Sequence, residues 1–133
     1  MKTSDFQFTD PCLIHMNFRE NKDFTIESGR EIEINTNIKV NQKRINDNEA
    51  VVSILINLGS EENSVPFSLE AEFVAQFRWG EAFDSKTVDS LLNQNAPALL
   101  LSYARPIISM ITNASHFPAF NIPFFNFKED EGI

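Results

Sequence analysis

From Phe6 to Trp79 the apolar residues fall on every second position, the period of strands that bury one face. In the first such run Phe6, Phe8, Cys12, Ile14, Met16 and Phe18 share one phase, and Asp5, Gln7, His15, Asn17 and Arg19 take the other. Pro11 cannot donate to a ladder, so it marks an edge, a bulge or a break into two shorter strands. Residues 31–40 repeat the pattern with Ile32, Ile34, Thr36, Ile38 and Val40 on the core side. The turn-rich Asn46-Asp47-Asn48 leads into residues 49–58, where Val52, Ile54, Ile56 and Leu58 face the core. After a second loop, residues 67–79 place Phe67, Leu69, Ala71, Phe73, Ala75, Phe77 and Trp79 together, opposite a row that is mostly polar. This predicts an α+β domain built on a four-stranded antiparallel sheet with one apolar and one wetted face.

The period then lengthens to that of helices. Asp84 or Ser85 can cap a short helix through Leu92, and Asn95 can cap a longer one from Ala96 to about Asn113. Both would pack on the apolar face of the sheet. On the longer helix Ser102, Arg105, Ser109, Thr112 and Asn113 form a narrow polar stripe, and nearly everything else is apolar. A helix so apolar is covered from more than one side. Pro106 removes a backbone donor, which predicts a kink or break there.

The stretch HFPAFNIPFFNF after this helix holds five phenylalanines, Phe117, Phe120, Phe124, Phe125 and Phe127, and is interrupted by Pro118 and Pro123. It suits neither a helix nor a central strand. Burying one Phe side chain gains about 1.5–3 kcal/mol, so these rings need a core, a partner subunit or a ligand. Residues 1–127 read as one domain, and the last six, KEDEGI, as a short acidic tail.

Charge and chemistry narrow the function. The formal net charge of −8, with no Lys/Arg cluster, disfavours nucleic acid as a partner. The single cysteine, Cys12, lies in the core phase of its strand and has no internal partner; with no secretory signal at the N-terminus, the expected location is cytoplasmic. The longest apolar run contains Pro97, Arg105 and Pro106 and is shorter than a bilayer requires, so no membrane insertion is expected. His15 and His116 have no neighbouring ligand at metal spacing, and no glycine-rich phosphate loop or nucleophile elbow occurs. Glu31 with Glu33, and Glu70 with Glu72, are carboxylate pairs on one strand face, which read as solvated surface.

The surplus of large apolar residues is what remains to be explained. Self-association would bury it. So would a groove for extended apolar segments of other proteins, lined by aromatic rings. A small apolar ligand is a third reading. Candidate groove residues are Phe67, Phe73, Tyr103, Phe117, Phe120, Phe124 and Phe125.

The C-terminal block NAPALLLSYARPIISMITNASHFPAFNIPFFNF resembles the signature region of the SecB export chaperones. An Asn-x-Pro helix start (Asn95, Pro97), a Tyr-Ala-Arg (Tyr103-Ala104-Arg105), a Phe-Pro (Phe117-Pro118) and an Asn-Phe (Asn126-Phe127) recur in the family's order. The resemblance implies a sheet with a short and a long helix on one face, assembled as a homodimer or as a homotetramer of paired dimers. It implies an ATP-independent holdase, not an enzyme, that needs no cofactor or metal and takes unfolded preproteins or another apolar polypeptide. Phe67 matches an aromatic of the client groove; Glu70, with Glu72 beside it, matches the surface that meets the SecA motor. His15 and Arg19 stand where the family uses acids to help dock SecA. Pro106 and the short tail also depart from the family pattern. A divergent member fits these departures, as does a chaperone dedicated to one partner such as an antitoxin, or a scaffolding oligomer without general chaperone activity.

Overall fold

A computed structural model describes residues 1–25, 31–62 and 64–128. Its sheet holds β1 (Gln7–Phe8), β2 (Cys12–Glu20), β3 (Thr36–Asn46), β4 (Glu49–Gly59) and β5 (Phe67–Arg78). β3, β4 and β5 form an antiparallel meander, and β1 and β2 lie one after the other along the free edge of β5. The sheet is therefore four strands wide, and the expected first strand is split in two around Pro11. The chain between β2 and β3 must pass from one edge of the sheet to the other, a Greek-key path.

The ladder between β4 and β5 sets the inner row. Ala50, Val52, Ile54, Ile56 and Leu58 stand opposite Phe77, Ala75, Phe73, Ala71 and Leu69, and all are buried. Alternation is so regular here because only one face of these central strands is covered.

Two departures at the edges have local causes. The β2–β5 register shifts between Leu13 and His15, which puts Cys12 opposite Val74 on the outer row and leaves it exposed. The expectation of a core-facing Cys12 is thus corrected: the bulge reverses the phase of Cys12 and Leu13, whereas Phe8, across Pro11 in β1, stands opposite inner-row Phe77 as expected. β3 begins only at Thr36 and runs on through residues 41–46, polar except for Ile45, so Ile32 and Ile34 precede the ladder. Pairing with β4, rather than side-chain period, extends this strand.

Gly59 closes β4 with φ of 66°, and a Cβ there would stand 2.0 Å from the Phe67 carbonyl oxygen. Gly59→Ala is expected to cost about 2 kcal/mol or more, since left-handed backbone and a backbone clash add together. Urea denaturation compared with wild type measures it.

The helical layer lies over β4 and β5. α1 (Ser85–Ser90) is capped by Asp84, whose side chain accepts the Thr87 N–H at 2.7 Å. A π-helical segment, Leu91–Asn95, joins it directly to α2 (Ala96–Asn113). Asn95 has helical backbone and makes no side-chain cap bond, so the expected break between two helices is a wide turn instead. Val88, Leu92, Ala96, Leu100, Ala104, Ile108 and Thr112 are buried at a strict spacing of four. Steps of four creep about 40° round a helix of 3.6 residues per turn, and the wider π turn takes back part of that creep.

The helix continues through Pro106 without a break. Ser102 and Pro106 are both exposed, where water can take the carbonyl that Pro106 leaves unpaired. Thr112 is not part of a solvent stripe as expected. It is fully buried, with Oγ1 donating to the Ile108 carbonyl at 2.8 Å. Of the expected acidic tail only Lys128 lies within the described residues. Among those residues no helix is long and apolar enough to cross a membrane.

Candidate functional site: an apolar groove beside the C-terminal strap

After α2 the chain runs back across the helix–sheet layer without regular structure, held at intervals by side chains. Ser115 Oγ accepts the Phe117 N–H at 3.1 Å, and Thr112 Oγ1 accepts the Phe120 N–H at 2.7 Å. Arg105 Nε donates to the Ile122 carbonyl at 2.9 Å. Ile122 is wholly buried, and Phe127 is 7% exposed. These anchors make residues 115–127 a strap, and Pro118 and Pro123 lower the entropy lost in fixing it extended.

Between the strap and the β2–β3 crossover lies a cleft of about 340 Å³ lined by Ile32, Ile34, Pro66, Phe67, Phe117, Pro118, Ala119 and Phe120. None of these side chains is polar. Phe67 forms the floor and meets Phe120 edge to face at 6.4 Å, while Phe117 meets Phe24 edge to face at 5.6 Å. Edge-to-face packing fixes ring positions yet leaves the remaining ring faces for another apolar group. A larger cleft of about 630 Å³ between β3 and α1 includes Lys86, Asp89, Gln42 and Asn93. Its charges and amides make it a poor receiver of apolar side chains.

Of the candidate groove residues, Phe67, Phe117 and Phe120 come together here. Phe73 is 0% exposed beneath α2 and belongs to the core of the isolated chain; it meets Tyr103 edge to face at 6.0 Å. Tyr103 is on the far side of α2 from the groove residues of the strap and 39% exposed. Phe124 is 84% exposed, under the Arg105 guanidinium at 4.4 Å, and Phe125 is also exposed. Ile32, Ile34, Pro66, Pro118 and Ala119 were missed as lining residues. The two isoleucines carried a signal, an apolar pair in strand phase just before a polar run, but it reads equally well as strand core.

The outer face of the sheet is built differently. Glu70 Oε1 lies 3.0 Å from His15 Nε2, and both side chains are about half exposed. Glu72, on the same row, stands opposite His15 on one side and Leu55 on the other, and Arg19 stands opposite Ser68. Such a pair in water contributes little to stability, but it engages the Glu70 carboxylate.

At the end of β2, Glu20 accepts the His116 backbone N–H, and that bond with the His116 ring holds the Glu20 carboxyl below its usual range. A depressed folded pKa contributes stability that is complete above the ordinary carboxylate range and is lost as pH falls through the depressed value. The melting-temperature gap between wild type and Glu20→Gln is therefore expected to stay constant from neutral pH down to the ordinary carboxylate range, and to shrink as pH falls further, through the depressed value.

The family model described as preprotein translocase subunit SecB matches residues 16–129. The chain belongs to the SecB family. It is 28% identical over 103 residues to the protein-export proteins SecB of Xanthomonas euvesicatoria and Xanthomonas oryzae, a match that covers 74% of this chain. It spans 56% of the length of those relatives. In fold it is similar to a SecB-like chaperone of Mycobacterium tuberculosis in complex with a ChAD peptide from the HigA1 antitoxin. That match has a TM-score of 0.74 at 13% identity and covers 91% of each chain. A protein of unknown function from Streptococcus agalactiae matches with a TM-score of 0.58 at 14% identity, over 92% of this chain and 100% of that one. In this SecB-family chain three of the residues that carry the resemblance act as fasteners. Ala104 faces the sheet, Arg105 holds the strap, and Phe127 docks its end.

Proposed function

We propose that this SecB-family protein is an ATP-independent holdase that takes extended apolar polypeptide segments into the groove between its strap and crossover. The observation that carries the proposal is an open cleft whose lining, among the described residues, is wholly apolar and includes Phe67, Phe117 and Phe120. An extended client can lay alternate side chains into such a cleft, each gaining about 0.8 kcal/mol per buried CH2. The net charge of −8 favours clients with basic residues beside the apolar ones. Nothing in this binding calls for a cofactor or a catalytic group.

Tyr103, Pro106 and Met110 are exposed on α2, with Leu99 and Ile107 half-buried beside them. That unsatisfied apolar stripe supports assembly as a homodimer or homotetramer. Residues 1–127 would form the single domain, and the cytoplasm is the location that suits one cysteine without a partner. Export clients and the SecA motor fit the family relationship, with Glu70 and Glu72 as the motor-facing acids. A second reading, a chaperone dedicated to one partner protein, is favoured by the engagement of Glu70 with His15 and by Arg19 on the same surface. The deciding experiment is suppression of aggregation of a chemically denatured protein without ATP. Suppression at near-stoichiometric ratio is expected; none at molar excess would end the holdase reading and leave the scaffold.

A further inference from the structure

The inner row of β2 runs Met16, Phe18, Glu20, so a carboxylate occupies a position whose phase is apolar. In the ladder Glu20 stands opposite Phe67, the groove floor. Its carboxylate reaches the strap: Oε1 accepts the His116 backbone N–H at 2.6 Å, and Oε2 lies 2.8 Å from His116 Nδ1. His116 immediately precedes the groove wall, residues 117–120. The far end of that wall is fixed by the bond from the Phe120 N–H to Thr112.

The next residue serves the other side. Asn21 is buried, and its Nδ2 lies 2.9, 2.8 and 2.6 Å from the carbonyls of Ser60, Glu62 and Val65, which ties down the loop leading to Pro66. Its backbone N–H donates to the Pro66 carbonyl at 2.9 Å. Successive side chains of an extended chain point to opposite sides, so two neighbours can hold two separate segments that frame one groove.

We propose that Glu20 is a positioning residue of the groove: by holding the His116 amide it fixes the 117–120 wall and thereby sets affinity for apolar segments. This rests on the groove being the binding site. An apolar residue at position 20 would continue the core; the acid is there because the strap offers an unpaired N–H that only an acceptor can satisfy. The bond is to backbone, so the His116 side chain is the lesser part of the contact.

The test combines amide exchange over residues 116–120 of the full chain with binding of a fluorescent ten-residue Phe/Leu/Lys peptide. Glu20→Ala is expected to speed exchange over 116–120 and weaken peptide binding, each by about tenfold, the loss of one charge-assisted bond. His116→Ala keeps the amide, so both readings should stay within about twofold of wild type. Glu20→Gln retains an acceptor and should fall between, which covers the case in which the alanine variant folds poorly. Unchanged exchange in Glu20→Ala overturns the latch. Faster exchange with unchanged peptide affinity overturns its link to the groove. If wild type binds no peptide while exchange responds as expected, the groove reading fails and takes the affinity role of Glu20 with it, while the latch itself stands.

Discussion

Replacing Ile122 with alanine is expected to destabilise the chain by about 2–5 kcal/mol, the range for emptying a fully buried aliphatic site. Ile122 is the most deeply buried residue of the strap, and its carbonyl is the acceptor of Arg105. Loss of its side chain removes core contacts and loosens the peptide group that Arg105 holds, so the two effects reinforce each other. The neighbouring Phe124→Ala should cost no more than about 1 kcal/mol, the size of an exposed cation–π contact. Chemical denaturation of the two variants gives the comparison. Side-chain size alone ranks them the other way.

Ala119→Asp is expected to weaken binding of apolar peptides by at least about tenfold while changing stability little, because it sets an unpaired charge beside apolar surface only when a client covers it. Ala119 is half-buried in the groove lining and supplies no ring to the core. The variant therefore separates binding from folding, which substitution of Phe67 cannot do, since Phe67 is both groove floor and buried core. Fluorescence titration with the labelled peptide, paired with a urea melt, reads both quantities.

The central strands were legible because a half-buried sheet imposes strict alternation: every inner residue of β4 and β5 was in the expected phase. Edges were not, because there the register answers to partners. A bulge moved Cys12 outward, and β3 extended over a polar run because β4 offered it a ladder. The helix start at Asp84 and the helix end near Asn113 followed from capping chemistry and the apolar period, but the expected second start at Asn95 did not hold, since Asn93, Gln94 and Asn95 look like a connection whether the helix breaks or widens. In the strap, the prolines announced an extended segment, yet which rings are buried depends on where Arg105 and Thr112 seize the backbone. Phe127 went to the core, Phe117 and Phe120 to the groove and Phe124 to solvent, a division no count of phenylalanines contains. Glu20 gave a signal that went unread, a charge in an apolar phase.

The most direct measurement of the central claim is site-specific photo-crosslinking from position 119 to a permanently unfolded protein, without nucleotide. A photoreactive residue at position 119 should capture the client, an excess of apolar peptide should abolish capture, and the same residue at the exposed outer-face position of Lys43 should capture little. Equal capture from both positions, or none from 119 while aggregation is still suppressed, would contradict a groove built by the strap.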